Sequence, residues 1–224
     1  MKKNILVVGI ASLLLLSSAA QANVGVSAEV GTTGAGVHLT MPVLDNLNAR
    51  VGVNAFSYSY DGSTSDVDYN FKLKMQTLDV LADYHPFAGS GFRVSGGLIY
   101  NGNKIEANAR PNANGTYTIN GHTYAASTVG ALNGKMDFRK IAPYLGIGWG
   151  NAVAKESKLS FTSDIGVMFQ GSANASLTSS GCTASVASCT QLASDLATEN
   201  NKLNDKLSKF NLYPVVRVGM GYKF

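Results

Sequence analysis

The sequence predicts an all-β protein, an eight-stranded antiparallel transmembrane β-barrel with long extracellular loops, the last of which contains a short helix. Three observations predict this fold. Segments of about ten residues alternate apolar with polar or glycine residues, as barrel strands do. Charged residues make up only 14% of the chain, against about 25% in soluble domains. The first residues have the pattern typical of an export signal, and the last residues alternate as an amphipathic strand does.

The amino terminus has the three parts of a secretory signal. Lys2 and Lys3 form a basic start, residues 5–16 form an apolar run, and residues 20–22 (Ala-Gln-Ala) place small residues where signal peptidase cleaves. The apolar run is shorter than the roughly 20 residues of a membrane-spanning helix. We therefore expect residues 1–22 to be a cleaved signal peptide and residues 23–224 to form the barrel.

The final strand is predicted at residues 213–224. Successive side chains of a strand point to opposite faces. One face of this segment carries Arg217, Lys223 and two glycines, and the other is apolar throughout. Its aromatic carboxy-terminus resembles the signal by which the assembly machinery of the bacterial outer membrane recognises its clients. The apolar face, which is also the predicted assembly signal, consists of Val216, Val218, Met220, Tyr222 and Phe224.

The first four strands follow from alternation interrupted by turn residues. Past residues 31–34 (Gly-Thr-Thr-Gly) the apolar side chains move from even to odd positions. This switch indicates a bulge or a tight turn, and a turn is favoured because bacterial barrels have an even strand number with both termini periplasmic. A second switch at Gln76 and Thr77 predicts a bulge inside strand four. These strands are expected at residues 24–30, 35–41, 49–60 and 67–85.

The second half of the chain contains four more strands and two long connections. Asn120 and Gly121 form a pair that readily adopts a type I′ turn, which predicts a small hairpin. Pro143 lacks an N–H for a strand ladder, so a bulge or local break is expected there. Leucines near helical spacing in residues 191–210 predict an amphipathic helix packing on the barrel mouth. The strands are expected at residues 92–101, 135–150, 158–170 and 213–224, and the outer loops at about 61–66, 111–133 and 171–210.

Composition limits the partners and cofactors. Without Lys2 and Lys3, the 18 basic residues become 16 against 14 acidic residues, so the mature chain carries about two excess positive charges. Such a balance gives no nucleic-acid patch. Cys182 and Cys189 form an even pair in an exported chain, which predicts a disulfide that staples a loop. Their spacing does not suit a metal site, and no metal or other cofactor is expected.

Several segments carry a resemblance to a known family. They are residues 28–34 (Ala-Glu-Val-Gly-Thr-Thr-Gly), 134–138 (Gly-Lys-Met-Asp-Phe), 141–146 (Ile-Ala-Pro-Tyr-Leu-Gly), 171–181, and the Asn- and Lys-rich helix before the final strand. The chain resembles the carbapenem-associated, CarO-like family of small outer-membrane barrels, which is linked to uptake of basic amino acids such as ornithine. The resemblance implies a shared barrel fold and a porin-like role in transport.

The inward face of the predicted strands carries an almost balanced set of acids and bases. Two interpretations remain open: a salt-bridge core that plugs the narrow interior, or a polar path for a zwitterionic or cationic solute. In the second, carboxylates would attract an ammonium group, and Arg93 or Arg217 a carboxylate. The predicted lumen residues are Glu29, His38, Arg50, Asp79, Asp83, Arg93, Asp164 and Arg217.

The predicted function is an integral barrel of the Gram-negative outer membrane forming a narrow channel for small solutes such as basic amino acids. The alternative is a non-conducting structural or adhesive barrel that acts through its extracellular loops. An enzyme is not expected, because His38 and His85 face inward and His122 lies in a loop. The expected partners are outer-membrane lipid and lipopolysaccharide, the assembly machinery and small amino acids, and a monomer is expected.

Overall fold

The computed structural model describes residues 23–63, 68–154 and 157–224. The predicted signal peptide, and residues 64–66 of the predicted loop at 61–66, lie outside these residues. Thirteen strands are described: β1 (Gly25–Gly31), β2 (Gly34–Leu44), β3 (Leu47–Ser63), β4 (Asp68–Tyr84), β5 (Phe92–Asn101), β6 (Lys104–Arg110), β7 (Thr116–Ile119), β8 (His122–Ala125), β9 (Ala131–Asp137), β10 (Ile141–Trp149), β11 (Leu159–Met168), β12 (Asn174–Ser180) and β13 (Tyr213–Lys223). Two helices accompany them, α1 (Ala126–Val129) and α2 (Val186–Leu207).

Eight of the strands close an antiparallel barrel in the order β1, β2, β3, β4, β5, β10, β11 and β13. Closure is made by β13, which pairs with β11 on one side and with β1 on the other. Val218, for example, lies opposite both Val30 and Ser163. Because closing the sheet pairs the edge strands in the barrel region, the predicted eight-stranded barrel is confirmed.

The turn between β1 and β2 confirms the first predicted hairpin. Thr32 and Thr33 connect the two strands, and Gly34 takes φ of 102°, a conformation that favours glycine. A hairpin rather than a bulge accounts for the switch in apolar positions, because the chain reverses direction there. The hairpin at Asn120 and Gly121 is confirmed as well, with φ of 50° and 83°, as a type I′ turn requires.

The predicted bulge at Gln76 and Thr77 is absent. The β3–β4 ladder runs in one register from Leu47 opposite Tyr84 to Ser63 opposite Asp68. The apolar side chains change position because the environment of the inward face changes along the strand. Near Asp79 that face lines a polar lumen, whereas the buried Met75 lies next to the segment of β4 that pairs with β6 instead of β5.

Pro143 also lies in an uninterrupted ladder, opposite Leu98. Its carbonyl accepts a hydrogen bond from the Phe169 N–H at 2.8 Å, just past the end of β11 at Met168. The missing proline N–H therefore falls where the ladder ends and costs little. The break in predicted strand six occurs earlier, at residues 138–140, between β9 and β10.

The barrel wall continues above the mouth on one side. The pairing of β4 with β6 keeps the register that β4 has with β5, and the pairing of β6 with β9 keeps that of β5 with β10. β12 pairs with β9 and completes this upper sheet. The two long connections, predicted mainly as loops, thus form a structured unit that we call the cap module: β6–β9, β12, α1 and α2.

The cap module has its own apolar core. The buried side chains come from the β7–β8 hairpin, from α1 and β9, and from α2 through Leu192 and Leu196. The predicted helix is therefore present but spans 22 residues, and it packs on the sheet and hairpin. It begins at Ser185, whose hydroxyl accepts a hydrogen bond from the Ser188 N–H at 3.2 Å.

The outer edge of β12 is covered by two asparagines of α2. Asn204 accepts from the Ala175 N–H at 2.8 Å and donates to the Ala175 carbonyl at 2.9 Å. Asn200 makes the same pair of bonds with Leu177, at 2.6 and 3.1 Å. Residues four apart on a helix rise about 6 Å, close to the two-residue repeat of a strand, so the two amides replace a neighbouring strand.

No helix among the described residues is long and apolar enough to cross a membrane. The exposed apolar side chains lie instead on the outward face of the barrel strands. They include Val53, Val80, Leu98, Leu145, Phe161, Ile165, Val216, Val218, Met220, Tyr222 and Phe224. This band is the lipid-facing surface expected of a transmembrane barrel.

Candidate functional site: the barrel lumen

All eight predicted lumen residues lie inside the barrel, each with 3% exposure or less. The period of two in the strands places them there, as the alternation predicted. The set is Glu29, His38, Arg50, Asp79, Asp83, Arg93, Asp164 and Arg217. It holds four carboxylates, three guanidinium groups and one imidazole, so its charges come close to cancelling.

Arg50 is the centre of the network. Its guanidinium lies 2.9 Å from an Asp83 oxygen and 2.8 Å from an Asp164 oxygen, with Glu29 at 3.7 Å. Arg93 approaches the same Asp164 oxygen at 2.8 Å from the other side. Arg93 also donates to the carbonyls of Trp149 and Gly150, which fixes the guanidinium to the barrel wall. A buried ion pair needs such additional partners to offset the loss of water.

His38 connects this centre to a second group of charges. Its Nδ1 lies 3.4 Å from Glu29 and its Nε2 lies 3.1 Å from Asp79. The same Asp79 oxygen lies 2.8 Å from Arg217, whose Nε donates to the Thr33 hydroxyl at 3.0 Å. The ion pairs thus form one continuous network, and the hydrogen bond from Arg217 to Thr33 ties it to a residue 184 positions away in the chain.

A glycine makes room for the His38 ring. Gly52 lies opposite His38 in the β2–β3 ladder. A methyl group added there would come within 1.9 Å of the imidazole. The ring therefore lies close against the backbone of β3 at Gly52, and this close approach is the reason a glycine is required at an inward position.

An apolar layer fills the part of the lumen beside β4, β5, β10, β11 and β13. It was not predicted, although the alternation that placed Arg93 inward places Ile99 inward too. Each of its members is 3% exposed or less: Leu81, Ile99, Ala142, Tyr144, Met168 and Val215. A water-filled pore would expose the side chains that line it, so in this structure the lumen is sealed along this layer.

A small polar cavity lies on the opposite side of the network. Its volume is about 10 Å³, room for about one water molecule. The wall includes Ser27, Asn48 and His85 beside the charged Glu29 and Asp83. His85 faces inward as predicted, and the Asn48 amide lies 3.2 Å from its Nε2.

The cysteines form the predicted disulfide, Cys182–Cys189, at the start of α2. Cys182 packs against the core of the cap module. The described residues contain no group of His, Cys, Asp and Glu that could hold a metal ion.

His122 lies on β8, where its Nδ1 is 2.8 Å from Asp195 of α2.

Comparison of the backbone with solved structures identifies the fold. The crystal structure of CarO2 from Acinetobacter baumannii aligns with a TM-score of 0.56 and 22% identity, over 91% of this chain and 99% of that chain. CarO from the same organism gives 0.55 and 22%, over 90% and 98%. The chain has the fold of the CarO barrels. The predicted resemblance is confirmed at the level of fold, and it covers the CarO chains almost completely.

The CarO fold extends over both the barrel and the cap module, because the alignments span nine-tenths of this chain. No family model and no curated protein matches this chain.

Proposed function

We propose that this protein is an outer-membrane barrel whose membrane part is a sealed anchor and whose cap module is the part that acts outside the cell. The observation that supports the proposal is the absence of exposure in the lumen. Ile99, Met168 and Val215 are 0% exposed. The predicted export signal and the CarO fold support the outer-membrane location.

The charged network supports a sealed rather than an open interior. Asp164 is held by two guanidinium groups, Arg50 and Arg93. Removing one member of a buried ion pair typically costs about 3–5 kcal/mol, because the other charge is left without a partner. A solute would have to replace these contacts one after another and would then have to displace the apolar layer.

A second candidate is the predicted narrow channel for small basic amino acids. It is favoured by the chemistry of the lumen, in which Asp79 and Asp83 face cations that an ammonium group could replace. The polar cavity beside Asp83 and Glu29 lies at one end of such a path. Passage would require Tyr144 and Met168 of the apolar layer to move.

Solute entry into liposomes separates the two candidates. Vesicles carrying the refolded mature protein are compared with empty vesicles for ornithine, glutamate and a neutral amino acid. A sealed anchor gives no entry above empty vesicles for any of the three. Entry of ornithine would overturn the sealed anchor, and the Asp79→Asn/Asp83→Asn double variant would then report charge selection by losing ornithine entry more than neutral entry.

The partners follow from the surface of the barrel. The outward face of β13 keeps Val216, Met220 and Phe224 exposed, as contact with lipid requires. Tyr222 and Phe224 meet edge to face with ring centroids 5.1 Å apart. We propose this strand as the signal read by the assembly machinery, in a monomeric barrel. Replacing Phe224 by Ser should lower the amount of folded protein in the outer membrane without affecting export.

A further inference from the structure

A band of lysines lies on the outward face of the wall where it leaves the membrane. Lys74 and Lys104 are directly opposite each other on β4 and β6, and Lys104 is opposite Asp137 on β9. In the next row, Glu106 lies between Lys72 and Lys135. The lysine band is defined as Lys72, Lys74, Lys104 and Lys135 together with the two carboxylates Glu106 and Asp137.

The band keeps an excess of positive charge although its carboxylates are occupied. Lys74 and Lys104 lie 2.9 and 3.0 Å from Glu106, and Lys135 lies 2.7 Å from Asp137. The hydrogen bonds from Lys74 and Lys104 lower the pKa of Glu106 to about 2, so this carboxylate stays ionised at neutral pH. Four lysines against two carboxylates leave two net positive charges.

Lys72 is the clearest part of this excess. No hydrogen bond or ion pair of the Lys72 side chain occurs among the described residues. Two lysines directly opposite each other on neighbouring strands also repel, as Lys74 and Lys104 do. Exposed ion pairs contribute little to stability. The stability of the sheet therefore does not account for four lysines on this face.

The position of the band relates it to the lipid. On β4 the same outward face carries Gln76 and then Leu78 and Val80, of which the last two are both more than 40% exposed. On the neighbouring strands the exposed Tyr100 and Ile141 mark the same level. The change from apolar to cationic side chains thus occurs over about four residues, or about 13 Å of strand. This is where a barrel wall leaves the hydrocarbon core and passes the lipid headgroups.

We propose that the lysine band binds the phosphate groups of a phosphorylated lipid in the outer leaflet. The occupant follows from charge complementarity and from continuity with the lipid-facing surface, since an anion at this height is a headgroup whose acyl chains lie against Leu78 and Tyr100. Each cationic side chain at an anionic membrane surface strengthens binding by about fivefold. The inference rests on the outer-membrane placement proposed above and is independent of whether the lumen conducts.

Binding of lipid A to the refolded mature protein in nanodiscs of zwitterionic lipid tests this. The probes are bisphosphorylated lipid A, its dephosphorylated form and inorganic phosphate. The Lys72→Gln/Lys104→Gln variant removes two charges from the band, and Lys206→Gln/Lys209→Gln removes two from exposed positions at the end of α2. We expect the band variant to bind bisphosphorylated lipid A at least tenfold more weakly, and the α2 variant to bind as the wild type does.

Four results would overturn the proposal. The wild type could bind both forms of lipid A equally, which would show that phosphate is not recognised. Inorganic phosphate could compete at equal concentration, which would indicate a free anion site. The two variants could lose affinity equally, which would show an effect of net charge alone. The band variant could also retain wild-type affinity. Because the wild-type arms need no variant, the test stands even if the band variant folds poorly.

Discussion

Asp164 is the residue on which the buried network depends most. It is 1% exposed and accepts hydrogen bonds from Arg50 and Arg93 at 2.8 Å. Replacing Asp164 by Asn leaves two guanidinium groups without a full counter-charge, and we expect a loss of about 3–5 kcal/mol in the free energy of unfolding. Urea unfolding in lipid vesicles measures it, with the exposed Asp205→Asn as control, which should change by less than about 0.5 kcal/mol. Equal losses would show that the network contributes nothing specific.

Gly52 and Gly96 form a matched pair for testing how tightly the lumen is packed. A methyl group at Gly52 would meet His38 at 1.9 Å, whereas at Gly96 the nearest atom is 3.9 Å away. Gly52→Ala should displace the His38 imidazole, which bridges Glu29 and Asp79, and should therefore lower the temperature at which the barrel unfolds. Gly96→Ala should leave that temperature unchanged. The shift between folded and unfolded bands in heated electrophoresis samples reports both, and two equal midpoints would contradict a packed His38.

At the residue scale, alternation was sufficient to predict which side chains face inward. A strand repeats every two residues, so one correct register places every side chain. Alternation could not predict which inward side chains pair with each other, because partners such as His38 and Asp79 lie on different strands and are 41 residues apart in the chain. The apolar layer was missed for another reason. Ile99 was on the inward side of a predicted strand, but a polar lumen was assumed along its whole length.

Asn200 and Asn204 control the edge of one element, β12. Replacing both by Ala removes four hydrogen bonds to the backbone of Ala175 and Leu177. At about 1 kcal/mol for each bond, α2 should separate from the edge more often. Hydrogen exchange at the Ala175 and Leu177 amides should become at least tenfold faster. The exposed Asn201→Ala is the control, and unchanged exchange in the double variant would show that the apolar core alone holds α2.

Asp195 connects α2 to the β7–β8 hairpin and gives this contact a pH dependence. The Asp195 side chain accepts from the Tyr124 hydroxyl, from Asn120 at 3.2 Å and from His122 at 2.8 Å. The hydrogen bond from Tyr124 is the largest cause that lowers the pKa of Asp195 to about 2. Because this pKa lies below the ordinary value near 3.9, the stabilisation is complete above about pH 4 and is lost as the pH falls toward 2.

We therefore expect the hairpin amides to remain protected from hydrogen exchange at pH 4 and to lose protection between pH 4 and 2, after correction for intrinsic exchange. In Asp195→Asn, protection should be weak at both values, and in Asp205→Asn it should follow the wild type. Loss of protection in the wild type already at pH 5 would contradict a lowered pKa.

The elements of the chain differed in how well the sequence predicted them. The Asn120–Gly121 hairpin was predicted because its turn needs two positive φ angles, a local requirement. The bulge predicted in β4 was wrong because tertiary surroundings, and not backbone geometry, changed the pattern at Met75. The strands β6, β9 and β12 were missed as a sheet because their pairing continues the register of barrel strands far away in sequence, which local patterns do not record.

At the scale of the whole molecule, one continuous wall supports two different interiors. Below the mouth, the inward-facing side chains meet across a narrow lumen, and ion pairs fill much of that lumen. Above the mouth, the same face of β4, β6, β9 and β12 is covered by α2 and a hairpin, so apolar side chains form the core. The two cores share no buried residue. The barrel and the cap module should therefore lose structure separately, although the chain passes between them several times.

Reduction of the Cys182–Cys189 disulfide tests this separation. The bond closes a short loop, with a sequence separation of 7, so it should stabilise the cap module by about 2–3 kcal/mol. Both cysteines lie in the cap module, since Cys182 packs against its core and Cys189 is part of α2. A reducing agent should accelerate hydrogen exchange in the first turns of α2 and leave heat-modifiable migration of the barrel unchanged. The Cys182→Ser/Cys189→Ser variant should behave as the reduced protein and should not respond to reductant. Unfolding of the barrel on reduction would mean that the cap module holds the wall closed, and the two cores would then form one cooperative unit.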